Sequence, residues 1–494
     1  MRRGGIFRVS VLEFDAIDPA LSFLTGSWAV QSLTCARLMR YPDRSPPAGY
    51  RIVPELAERW PRVSRDGKTY TFTIRRGFRF SNGAVVTARN FEYAFRRLLN
   101  PRQESPIGFY VQNIDRITAR GRRLVIELRR ASADFPPRMT MPFFCPVVLG
   151  LPVDPEGVGA PLAGSGPYYV AGYVRGRRVV VQRNRYYRGN RPHRIDRFVF
   201  YLDDGPDPES IIGRIERGER DWGELPPVLP RATTVRLRRR YGLNRDRYFV
   251  RAATTVQLLR MNMARRLFRG NAALRRAVNF AIDREALLAP FGSGYGAATD
   301  QLLPPVFPGY RNADIYPLRR PNLRRARRLA TGHRRSGKAV MYHSTSPRGT
   351  TLAQIVRRNL ASIGLDVELR AFPPAVFVEK LETRGEPWDL AILPWQPEYV
   401  DPYTFLNVLL GQGTGFVDVG FDSPRYRRLL ASAARLSGRV RYRRYGDLDV
   451  QITRDAAPMA AFAYAYERNF VQPASAASPS MPARPARPTW QPPA

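Results

Sequence analysis

Lysine is almost absent from this 494-residue chain. Only Lys68, Lys338 and Lys380 occur, so 77 of the 80 cationic side chains are arginine. Set against 42 acidic residues, they leave a net charge of +38 and a pI of about 11.2. A balance of that sign raises nucleic acid or an anionic surface as a partner. A nucleic-acid binder, however, gathers its charge on one face and uses lysine beside arginine for phosphates. Here arginine runs along nearly the whole chain, the pattern of codon bias in a GC-rich genome. Cysteine is scarce too: Cys35 and Cys145 alone exclude a disulfide scaffold and a cysteine-built zinc site. Three histidines, His193, His333 and His343, are too scattered to suggest a metal cluster. No run reaches the about 18 apolar residues of a membrane-spanning helix. The start, MRRGGIFRVSVLEF, has two arginines with no apolar stretch behind them, so as it stands it is not a secretion signal. Catalytic signatures are missing as well: there is no GxSxG, no GxxxxGK[ST] and no HExxH. GSGYG at 292–296 lacks the dinucleotide spacing and reads as a loop. Asp203 and Asp204 read as a solvated strand end rather than a catalytic pair.

What is present is globular. Hydrophobic residues make up 44% and charged ones 25%, and at roughly 150 residues per domain the length allows about three domains or two larger lobes. The first half carries hairpin patterns. An opening strand over Ile6–Val11 is followed by a helix around Trp28–Met39. In GKTYTFTIRRGFRFSNG, Tyr70, Phe72 and Ile74 alternate with Thr69, Thr71 and Thr73, the period of a half-buried strand. Thr87 caps a helix whose stripe is Phe91, Ala94, Phe95 and Leu98. Further strands fall at 124–128, 179–182, 198–202 and 221–225, while 231–247 reads as surface.

From about Val256 the pattern changes. A strand (VQLLRMN) precedes a helix with Leu274, Ala277, Val278, Ala281 and Ile282 on one stripe. Strands at 339–343, 366–370 and 389–393 then alternate with helices at 350–363 and 375–383, which demands right-handed crossovers and a parallel sheet. Two helices, near 424–436 and 439–455, precede a last strand at 459–466, and the Pro/Ala/Ser-rich end reads as disordered. The basic run RRARRLATGHRRSGK (324–338) is the best nucleic-acid candidate, yet its spacing is that of an amphipathic helix with a solvated face.

The segment richest in chemistry is WDLAILPWQPEYVDPYTFLNVLL (388–410). Trp395, Glu398, Tyr399 and Asp401 follow the strand at its C-terminal end, where open α/β sheets bind ligands. Aromatic rings beside a carboxylate suit a ligand with a cationic amine and an extended body. From spacing alone, lobe packing by Trp395 and Tyr399 with a surface charge at Glu398 fits as well.

Five stretches together resemble one family. They are GGIFRVSVLEFDAIDPA, the block VPELAERWPRVSRDGKTYTFTIRRGFRFSNGAVVTARNFEYAFRRLLNP, GSGPYYVAGYVRGRRVVVQRNRYYRG, FRGNAALRRAVNFAIDREAL and WDLAILPWQPEYVDPYTFL. The chain resembles, over nearly all of 4–470, the solute-binding proteins of ABC importers, family 5, the oligopeptide- and dipeptide-binding class. The resemblance implies a two-lobed α/β clamp of the type II periplasmic-binding-protein kind with an inserted subdomain in lobe I. It divides the chain into 1–28 (lobe I), 29–161 (the insertion), 162–250 (lobe I again), 251–464 (lobe II) and 465–494 (the return to lobe I and tail). It implies a non-enzymatic, monomeric, extracytoplasmic receptor without cofactor, metal or nucleic acid. Such a receptor captures a solute, foremost a peptide, between its lobes and presents it to a membrane permease. A glycoside or metal-chelate ligand is the alternative within the family; an arginine-rich nucleic-acid binder and a hydrolase are the rivals outside it. In family peptide binders an acidic residue after the tryptophan takes the peptide's α-amine, a position held here by Glu398. Those binders commonly carry Asp there, so Glu398 keeps the charge and lengthens the reach by one methylene. The family is secreted or lipid-anchored, and this chain departs from it at its start. Cys35 and Cys145 both fall in the insertion, and export permits a bridge, but the sequence does not show their proximity.

Overall fold

The computed structural model describes residues 4–44, 48–202, 207–411 and 418–473. Asp203, Asp204 and the Pro/Ala/Ser-rich end lie outside the described residues. The chain falls into two compact units. One comprises residues up to Pro226, Val235–Val250 and those from Arg468 on; the other comprises Pro227–Thr234 and Arg251–Glu467. No helix among the described residues is long and apolar enough to cross a membrane.

In the first unit, Ile6–Ser10 runs parallel to Arg197–Tyr201, which pairs antiparallel with Arg178–Arg183 and through it with Tyr168–Val174. On its other side Trp222–Leu225 is parallel to it and antiparallel to the end of the last strand, Arg468–Val471. Alternate side chains point inward, so Phe7, Val9, Val179, Val181, Phe198 and Phe200 share one core. The alternation at 69–74 folds as read. Thr69–Thr73 sits between Arg62–Val63 and Arg123–Leu128, with Ile114–Arg120 outermost, and Tyr70 and Phe72 are buried. The helix Ala88–Leu99 is opened by a reciprocal cap between Thr87 and Asn90, and it buries the expected stripe.

Cys35 and Cys145 form a disulfide, with Cα atoms 5.7 Å apart and a sequence separation of 110. The bridge bears on a helix boundary. The expected helix at 28–39 is instead Thr25–Thr34, and Cys35 is already extended (φ −112°, ψ 122°). Next to it the Ala36 amide donates to Ser165 Oγ at 3.0 Å, and the chain continues into the short strand Met39–Arg40.

In the second unit, Asp366–Phe372, Lys338–Ser344 and Leu390–Trp395 are parallel neighbours in that order. The part of Tyr248–Met261 from Arg251 on follows, antiparallel to Leu390–Trp395, and then the part of Met459–Val471 up to Glu467. The helix Pro347–Ala361 connects the first two parallel strands in sequence, and Pro374–Glu382 leads to the third. Ser346 caps Pro347–Ala361 by accepting from the Gly349 amide at 3.1 Å, and Gly364, at φ +74°, turns the chain out past its end.

Two expectations are corrected. Residues 231–247 are not plain surface: Arg231–Tyr241 is a helix burying Thr234, Leu237 and Tyr241, a stripe diluted in the sequence by five arginines. The loop read at 292–296 leads into a strand, Gly296–Ala298, paired with Ala463–Ala465. A Cβ at Gly296 would lie 1.9 Å from the Tyr464 carbonyl oxygen, so this glycine serves backbone approach rather than phosphate binding. The basic run is the helix Leu323–Ala330 as expected, with Ala326 and Ala330 buried and its arginines in solvent.

Candidate functional site

The three parallel strands of the second unit end at Ser344, Phe372 and Trp395, on one edge of the sheet. Loops leaving such an edge are where α/β sheets hold ligands. The last of these loops carries all four residues singled out in the sequence. Trp395 closes its strand opposite Val256 and is buried. The next residue, Gln396, accepts from Thr255 Oγ1 at 3.2 Å, which ties the loop's first step to the neighbouring strand. Exposure then divides the set: Tyr399 and Asp401 are 2% and 1% exposed, whereas Glu398 is half-buried. Tyr399 is thus buried, and Glu398 is the acidic side chain of this loop that reaches solvent.

Asp401, which the sequence groups with Trp395, Glu398 and Tyr399, has its carboxylate engaged inside the unit. Arg441, on the helix Gly438–Gln451, donates Nη2 to Oδ1 at 2.7 Å and Nε to Oδ2 at 3.2 Å, a two-pronged pair closed off from water. The Tyr403 amide also donates to Oδ1, and the Thr404 amide and hydroxyl donate to the Asp401 carbonyl, launching the π-helical turn Thr404–Val408. Arg441 spends its remaining Nη1 donor on the carbonyls of Ala433, Ala434 and Leu436. Burial, reinforced by the Asp401 charge, pushes the neighbouring Tyr442 phenol up to about 12. Asp401 is thus the pin that holds the loop. Its partner lies 40 residues on, and no local spacing marks the pair.

The strand's other end is fixed by Asp389. Its carboxylate accepts from the Val340 amide at 2.9 Å and lies 3.5 Å from Arg265, while burial raises its pKa. The loop bearing Glu398 is therefore held at its root by the sheet and at its far end by Asp401–Arg441. Among the described residues no group of three or more His, Cys, Asp or Glu side chains could hold a metal ion.

Comparison with known proteins gives this geometry a context. Residues 51–416 match the model of the middle region of bacterial extracellular solute-binding proteins, family 5. The oligopeptide-binding protein OppA of Bacillus subtilis is 22% identical over 399 residues, covering 74% of this chain and 71% of its own. The dipeptide-binding protein DppE of the same organism is 23% identical over 451 residues, covering 85% of this chain and 79% of its own. Among solved structures, the clavulanic acid biosynthesis oligopeptide binding protein 2 superposes with a TM-score of 0.82 at 22% identity, over 96% of this chain and 92% of that one. At that identity the likeness shows the fold, the two-lobed α/β class expected from the sequence.

Proposed function

We propose that this chain, which belongs to the bacterial extracellular solute-binding proteins of family 5, is the receptor of an ABC importer that captures a peptide and passes it to a membrane permease. It acts by binding and release rather than by catalysis. The observation that carries the reading is the position of Glu398: half-buried, on a pinned loop just past the C-terminal end of a parallel strand. A carboxylate so placed makes a charge-assisted hydrogen bond to a peptide's α-ammonium. The peptide preference is supported by the matched relatives, two of which are named for oligopeptides or dipeptides. Native mass spectrometry of the purified protein, before and after denaturation, tests the reading. Released masses that fragment as peptides with free amino termini are expected; a released nucleic acid, or a sugar or metal chelate in place of peptide, overturns it.

A further inference from the structure

The arginine excess is not evenly spread. Two segments, 263–282 and 318–338, hold fourteen cationic residues and no acidic one. At the chain's average of 42 acids in 494 residues, about three or four would be expected in such a length. The fold brings the two segments together. The helices Ala272–Ala281 and Leu323–Ala330 pack on each other, Asn271 Nδ2 donates to the His333 carbonyl at 2.8 Å, and Arg335 Nη2 donates to the Arg269 carbonyl at 2.7 Å. Arg324, Arg325, Arg327 and Arg328 are all exposed, and at 100° per residue they fan over an arc of about 160°. One of the fourteen, Arg275, is buried and donates to the Ala456 and Phe268 carbonyls, so it takes no part in this face. Among the described residues only Arg265 of the other thirteen has a carboxylate within ion-pair distance, Asp389 at 3.5 Å. The aromatic residues of these segments, Phe268 and Phe280, are buried, and the Arg325 guanidinium lies 4.3 Å from the centre of the Phe280 ring, so neither is open for a nucleobase to stack on.

We propose that this face of the second unit docks on the anionic lipid headgroups of a bilayer, holding the receptor at the membrane that carries its permease. The inference rests on the importer reading only for its choice of membrane. Each arginine near an anionic surface adds attraction that salt screens beyond about 8 Å at physiological strength. Co-sedimentation with vesicles of equal parts phosphatidylglycerol and phosphatidylcholine tests it, alongside pure phosphatidylcholine and a mixed-sequence DNA duplex. The variant R320E/R324E/R328E is compared with R65E/R76E/R89E, which makes the same change in net charge at exposed positions of the first unit. The account expects binding to the phosphatidylglycerol vesicles only, weakened more than about thirtyfold in the first variant and less than about threefold in the second. Equal losses in both would mean that net charge alone drives adsorption, and tighter binding to DNA than to vesicles would assign the face to nucleic acid; either overturns the proposal. Peptide affinity, measured on the same samples, separates the two readings. Vesicle binding lost with peptide binding kept leaves the receptor standing, and lost peptide binding in the parent protein sinks the receptor instead.

Discussion

Asp401–Arg441 has a counterpart in the first unit, where Arg97 grips Asp18 with Nη2–Oδ2 at 2.7 Å and Nη1–Oδ1 at 3.1 Å, both side chains buried. Such pairs add little net stability over a well-packed apolar replacement, but removing one partner strands a charge and costs about 3–5 kcal/mol. Arg441→Met should therefore destabilise the protein by about that much. Arg441→Met with Asp401→Leu should recover most of the loss, as read by urea denaturation. If the single change costs under about 1 kcal/mol, Asp401 is not held as described. Glu398→Gln, at a half-buried position, should leave stability nearly unchanged. At this scale the sequence distinguishes a site's neighbourhood but not its roles. Trp395 to Asp401 stand out because they follow a recognisable strand. Which carboxylate faces outward depends on Arg441, and its position opposite Asp401 exists only once the Gly438–Gln451 helix has packed.

The elements follow their local chemistry where a single period rules. The alternation at 69–74 and the short apolar strands at 339–343 and 389–393 were legible because the core enforces one spacing. Arg231–Tyr241 was not, because its buried stripe is short and its outer face is arginine; nor was Gly296–Ala298, whose pairing partner lies more than 160 residues later. Two devices fasten elements in ways no periodicity reveals. The Cys35–Cys145 bridge closes 110 residues, and by chain entropy a loop of that length is worth about 4–5 kcal/mol. Reduction with dithiothreitol should lower the urea midpoint of the parent protein and leave a C35A/C145A variant unmoved. Asp449, on Gly438–Gln451, accepts from the amides of Leu302 and Leu303 and from Gln301 Nε2, fastening that loop to the helix. Burial pushes its carboxyl up to about 7, against hydrogen bonds that lower it, while an unfolded Asp titrates near about 3.9. Between those values the folded state holds the extra proton, so this group's contribution to stability falls as pH rises from about 4 to about 7. From pH 5 to pH 8 the parent protein should lose stability relative to Asp449→Asn; parallel profiles would remove Asp449 as the cause.

Over the whole molecule, a net charge of +38 raised nucleic acid as a partner, and the spread of arginine along the chain argued against it. The fold shares its class with solute-binding proteins and adds a local concentration, by packing two acid-free arginine-rich segments against each other. That concentration is invisible in the sequence as a line, because 263–282 and 318–338 meet only when their helices pack. A receptor that binds its solute only when folded should also gain stability from it, by about 2.7 kcal/mol at a peptide concentration a hundredfold above Kd, read as a rise in thermal midpoint. The central claim, that the chain captures peptides by their amine at Glu398, is tested most directly by calorimetry of one tripeptide and its N-acetylated twin against the parent protein and Glu398→Gln. A buried ammonium–carboxylate contact is worth about 2–5 kcal/mol when one partner is removed, roughly 30- to 5,000-fold in affinity. The account expects Glu398→Gln to weaken the free-amine peptide by that factor and the acetylated one hardly at all; equal losses for the two, or no loss for either, would contradict it.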